Sequence, residues 1–134
     1  MKYFVFLTVM LAAGLPGCSV RPRPLEQQAR VCHVIIMWLK EPGNDAARSK
    51  MVASSHKFSY IPGVLNVYAG RILPGNRPVV DNSFDVAVVM TFADEAALAG
   101  YLEHPVHKKE IKEALEPLVD RILVYDFTIE TAND

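Results

Sequence analysis

Tyr101-Leu102-Glu103-His104-Pro105-Val106-His107 decides how the chain folds around its most reactive side chains. It follows Asp94-Glu95-Ala96-Ala97-Leu98, an acidic, alanine-rich helix start that Asp94 can cap. A residue before proline is pushed out of the α region, so the helix carrying Tyr101 must stop at His104. Pro105 suits the first turn of a new helix, where its missing N–H costs nothing. One phenol and two imidazoles therefore gather at a single helix–helix corner.

Upstream, Val31 to Leu39 (VCHVIIMWL) is short, apolar and bounded by polar or proline-bearing segments, which predicts a strand. Asn44 can cap a helix from Asp45 to about Tyr60, with Ala47, Met51 and Phe58 as a sparse apolar stripe. Ile61-Pro62-Gly63 is a turn, and Val64 to Ile72 reads as a second strand. The proline- and glycine-bearing loop from Leu73 leads to a third strand, Phe84 to Phe92. Beyond the corner, Ile111, Ala114, Leu115 and Leu118 keep helical spacing in a third helix from Pro105, and Arg121 to Ile129 is the last strand. The order βαββααβ is an α+β, ferredoxin-like plan whose second helix is broken in two.

The strands also set the assembly. On the first, His33, Ile35 and Met37 point one way, and Cys32, Val34, Ile36 and Trp38 the other. On the third, Phe84, Val86, Val88 and Met90 oppose Asp85, Ala87 and Val89. Both faces are largely apolar, yet the helices can cover only one. The uncovered face would far exceed the apolar patch usual for a monomer, and a second copy related by two-fold symmetry is the commonest cover. A homodimer is expected.

The N-terminus reads as a targeting segment rather than part of the fold. Lys2 precedes an apolar run from Phe4 to Ala13, shorter than the ~20 residues needed to span a bilayer. Leu15-Pro16-Gly17-Cys18 looks like a bacterial lipobox, although Pro16 is an unusual occupant. Residues 1–17 are then a lipoprotein signal peptide, residues 18–30 a lipidated N-terminus and tether, and residues 31–130 the domain. Ser19 after the cysteine resembles outer-membrane-sorted lipoproteins, so the expected location is a lipid anchor at a bacterial outer membrane, facing the periplasm. Acylation of Cys18 leaves Cys32, inside an apolar run, as a buried small hydrophobe without a disulfide partner. The formal charge of −1 gives nucleic-acid binding no electrostatic support.

His33-Val34-Ile35-Ile36, the Tyr101–His107 corner and Asp120-Arg121-Ile122-Leu123-Val124-Tyr125-Asp126-Phe127 together resemble the stress-responsive dimeric α/β-barrel (Dabb) family. The resemblance covers nearly all of residues 31–129 and implies two sheets paired into a barrel with the helices outside. Plant polyketide cyclases of this fold run a cofactor-free aldol condensation beside the barrel. Their catalytic tyrosine and histidine match Tyr101 and His107, and their first-strand histidine matches His33. On the third strand, where they place another pocket histidine, this chain has Val86, which takes a polar group out of the implied site.

Each residue also has a plainer reading. His104 can fix the corner by bonding backbone groups. His33 can be a hydrogen-bonded pocket wall, and Tyr101 can simply pack with Leu98 and Leu102. His56 sits among polar residues, and Lys108, Lys109, Glu110, Lys112 and Glu113 read as the wet face of the third helix. Three histidines without acidic or cysteine ligands at the usual spacing predict no metal, and no cofactor is expected. Two functions remain: a small-molecule-binding or stress-associated module with an apolar ligand, or a cofactor-free cyclase-, lyase- or oxygenase-like enzyme using Tyr101 and His107, with His33, Val86 and His104 at the pocket.

Overall fold

The computed structural model describes residues 28–130. The expected signal peptide, Cys18 and most of the expected tether lie outside the described residues. Four strands, β1 (Val31–Leu39), β2 (Val64–Arg71), β3 (Val86–Phe92) and β4 (Val119–Thr128), form one sheet in the order β2-β3-β1-β4. All three pairings are antiparallel. Against one face lie α1 (Asp45–His56), α2 (Glu95–Glu103) and α3 (Pro105–Glu110). This is the expected ferredoxin-like α+β plan, with its second helix divided.

Helix boundaries follow local chemistry. Asn44 Oδ1 accepts from Ala47 N at 2.9 Å, and Asp94 Oδ1 from Ala97 N at 2.8 Å, so both predicted caps form. The first helix leaves α geometry earlier than expected, at His56, and runs on as a 3₁₀ turn through Lys57–Tyr60. His104 takes an extended backbone (φ −65°, ψ 135°), and Pro105 opens α3. The third helix does not continue as α to Leu118. From Ile111 to Leu115 it widens into a π turn, with Glu116 N donating to Ile111 O across five residues at 2.9 Å.

The core lies between sheet and helices. Ile35, Met37, Val88, Met90 and Phe92 meet Met51, Phe58 and Tyr101, each essentially removed from water. The strand alternation is as expected, but β3 begins at Val86 rather than Phe84, because Asp85 turns its carboxylate inward. That carboxylate accepts from Leu39 N, Gly43 N and the Arg48 guanidinium at 2.7–3.0 Å, tying β1, the turn and α1 to β3. Burial alone would raise the Asp85 carboxyl, but these donors outweigh it and hold it below its usual value.

The other sheet face carries Val34, Ile36 and Val89, continued by Leu123, Tyr125 and Phe127 on β4. Those three β4 residues are 41–54% exposed, and no helix covers them. Cys32 lies on this same face, buried and free, and burial pushes its thiol up.

Candidate functional site

A cavity of about 240 Å³ opens between the sheet and the α2–α3 corner. Its floor is His33, Ile35 and Met37 of β1, Val88 of β3, and Ile122 and Val124 of β4. Its roof is Leu102, His107, Ile111 and Leu115, so the π turn supplies two apolar wall residues. The polar residues in its lining are His33, Ser55, Tyr101 and His107.

Tyr101 sits at the centre of an aromatic cluster. Its ring centroid is 4.4 Å from His107, 5.3 Å from Phe92, 5.6 Å from Phe58 and 5.9 Å from His33. The residue is 1% exposed, yet its hydroxyl has no hydrogen-bond partner among the described residues. No fully enclosed polar side-chain atom there lacks a partner, so the hydroxyl keeps its residual surface at the cavity. Burial pushes the phenol well above its ordinary value, leaving it a hydrogen-bond donor and not a phenolate at neutral pH.

Both cavity imidazoles have fixed orientations. His107 Nδ1 lies 3.0 Å from the Leu102 carbonyl, which can only accept, so Nδ1 carries the proton. The neutral ring then presents a bare Nε2. Burial lowers the His107 pKa against the opposing effect of the Leu102 bond, which favours that neutral form. His33 Nδ1 lies 2.5 Å from Asp126 Oδ1, directly across the β1–β4 pairing. Its proton is likewise on the Nδ1 side, and Asp126 holds the ring.

Two expected pocket residues lie elsewhere. His104 does not line the cavity; its Nδ1 accepts from Val106 N at 3.2 Å and caps α3, the local bonding that a histidine before proline can make. Val86, paired with Met37, is also absent from the wall. Val88, one side-chain repeat nearer His33, is the residue β3 offers, so that strand still supplies no imidazole. Glu110 is not on a wet face. It turns in to accept from Ser54 Oγ and Lys57 Nζ, and the Ser54 bond above all lowers its carboxyl. Asp126 and Ser55 escaped the sequence reading: the first needs the strand pairing, the second the helix placement. The alternation of β4 put Asp126 on one face with Ile122 and Val124, the only signal that could have found it.

A larger depression, about 380 Å³, lies beside the start of α1 near Leu39, Lys40, Asn44 and Pro117. Two of its polar side chains are engaged, Lys40 Nζ with the Glu116 and Pro117 carbonyls and Asn44 with its cap, and its lining holds no histidine, tyrosine or serine. The chemistry therefore lies at the smaller cavity. Among the described residues no group of three or more His, Cys, Asp or Glu is placed to hold a metal.

An antiparallel β2-β3-β1-β4 sheet with one face under helices and a histidine–tyrosine cavity between them defines a ferredoxin-like α+β domain of the α/β-barrel class. Residues 31–129 match the Stress responsive A/B Barrel Domain, and the chain belongs to that family. A Dabb family protein with a ferredoxin-like fold from Mesorhizobium loti is 25% identical with a TM-score of 0.63, covering 78% of this chain and all of that one. A dimeric ferredoxin-like protein of unknown function from Thermobifida fusca is 18% identical (TM-score 0.63), over 77% and 93% of the two chains. Hydroxynitrile lyase from Passiflora edulis is 21% identical (TM-score 0.63), over 76% and 94%. These last two likenesses are of fold. No curated protein matches by sequence.

Proposed function

We propose that this chain is a membrane-anchored, periplasmic homodimer that binds a small, largely apolar molecule in the His33–Tyr101–His107 cavity. The observation that carries the binding reading is the Tyr101 hydroxyl, a donor on a 1%-exposed residue that has no hydrogen-bond partner among the described residues and opens onto a largely apolar cavity. Buried donors are normally satisfied, so a ligand or ordered water completes this one. The uncovered sheet face around Leu123, Tyr125 and Phe127 supports the dimer, as does the dimeric state of fold relatives. The lipobox-like Leu15–Cys18 supports the anchor.

A second reading is a cofactor-free acid–base enzyme. It is favoured by one specific feature, the bare Nε2 of a buried neutral His107 beside the Tyr101 phenol. Such an imidazole can take a proton from a substrate while the phenol donates to the oxygen that gains charge. The hydroxynitrile lyase is one enzyme of this fold.

Native mass spectrometry of the purified protein, followed by a thermal-shift screen, tests the site. A co-purifying or stabilising small molecule is expected, with affinity lost in Tyr101→Phe and His107→Ala. Wild-type affinity in both variants sinks the assignment. Turnover of the bound molecule by wild type and not by His107→Ala selects the enzyme over the binding module.

A further inference from the structure

The cavity's polar groups are unevenly divided between donors and acceptors. The Tyr101 hydroxyl is a donor without a partner among the described residues. Neutral His107 spends its proton on the Leu102 carbonyl and offers a lone pair at Nε2. Ser55, 1% exposed and in the cavity wall, spends its hydroxyl proton on the Met51 carbonyl at 2.9 Å and keeps only acceptor capacity. His33 donates Nδ1–H to Asp126.

The charge is also one-sided. The Asp126 carboxylate bonded to His33 Nδ1 leaves the pair without net positive charge. No lysine or arginine is among the lining residues, and the nearby Lys108 is turned outward onto Glu103. A carboxylate placed here would meet the Tyr101 donor, several lone pairs and the field of Asp126. Moving an anion from water into such a site is costly. A hydroxyl or N–H group, in contrast, can donate to His107 Nε2 or Ser55 while accepting from Tyr101. The volume of about 240 Å³ admits a ligand somewhat larger than benzene, for which a cavity of about 150 Å³ suffices.

Resting on the reading of this cavity as a ligand site, we infer that it selects an uncharged molecule of about single-ring size bearing at least one O–H or N–H donor, and rejects the carboxylate of the same shape. Asp126 is the charge that enforces the rejection, acting through His33.

NMR titrations of the full chain with benzyl alcohol, toluene and benzoate, read at His33, Tyr101 and His107, test this. Benzyl alcohol is expected to bind several-fold more tightly than toluene and at least about tenfold more tightly than benzoate. Asp126→Asn, at a half-exposed position on an edge strand, is expected to strengthen benzoate binding several-fold and so to narrow the ratio of benzyl alcohol to benzoate affinity. Toluene binding as well as benzyl alcohol overturns the donor requirement while leaving the cavity a ligand site. Benzoate binding as well as benzyl alcohol, or equally weakly in Asp126→Asn as in wild type, overturns the charge selection. If none of the three perturbs those side chains, the ligand-site reading falls and this inference with it.

Discussion

His33 and Asp126 stand directly opposite each other across β1 and β4, and a hydrogen bond from Nδ1 to Oδ1 joins them although 93 residues separate them in the chain. The carboxylate fixes which ring nitrogen carries the proton and holds the ring edge-on to Tyr101, 5.9 Å between centroids. Asp126→Asn is expected to keep the pairing geometry and weaken the orientation. ¹⁵N NMR of the His33 ring checks this: a mixture of tautomers in the variant, against one in the wild type, is the expected result.

Tyr101→Phe separates packing from chemistry. The ring stays against Phe58, Phe92 and His107, and only a hydroxyl without a protein partner is removed. Stability should hold within about 0.5 kcal/mol or rise, since no satisfied hydrogen bond is lost. Ligand binding or turnover should fall. A loss of several kcal/mol in a denaturant titration would show that the hydroxyl has a structural partner.

His104→Ala should have the opposite profile. It removes the side-chain acceptor that caps α3, a loss of about 0.5–2 kcal/mol by the usual range for caps. Its side chain is not in the cavity wall, so affinity for a cavity ligand should be unchanged when measured well below the unfolding temperature.

Acidification is expected to destabilise the fold in two stages. Burial lowers the His107 pKa, so the unfolded chain binds that proton more readily and stability begins to fall as pH drops below about 6.5. Asp85 and Glu110 are also held low in the fold. Their contribution is complete above the unfolded carboxylate range, about pH 4, and is lost as pH falls through their lowered folded values. Urea melts between pH 8 and pH 3 measure both stages, and His107→Ala should erase the upper one. Asp85→Ala should cost about 1–3 kcal/mol at neutral pH, because it leaves two backbone N–H groups and the part-buried Arg48 guanidinium without their acceptor.

Leu123→Asp places a charge on the uncovered face without touching the helix side. Sedimentation should show a dimer for the wild type at micromolar concentration and a monomer for the variant. Independently, Cys18→Ser should move the protein from the membrane fraction to the soluble periplasm, as fractionation with immunodetection will show.

Much of this molecule is determined locally and so could be read along the chain. Strand alternation in Val31–Leu39, the caps at Asn44 and Asp94, and the stop imposed by Pro105 depend on neighbours within a few residues, and those elements stand where expected. Tyr101 and His107 were legible as a pair for the same reason, because one corner carries both. What the tertiary structure alone decided is which groups meet across the sheet and between the layers. Asp126 reaches His33 only through strand pairing, Ser55 joins the cavity only through the seating of α1, and β3 presents Val88, opposite Ile35, rather than Val86. The widening of the third helix at Ile111 is of the same kind. Nothing in Ile111–Leu115 breaks a helix, and the π turn appears where the chain must swing from α3 into β4 while keeping Ile111 and Leu115 on the cavity. Local propensity sets which elements form; register and packing, which act between distant residues, set which side chains face one another.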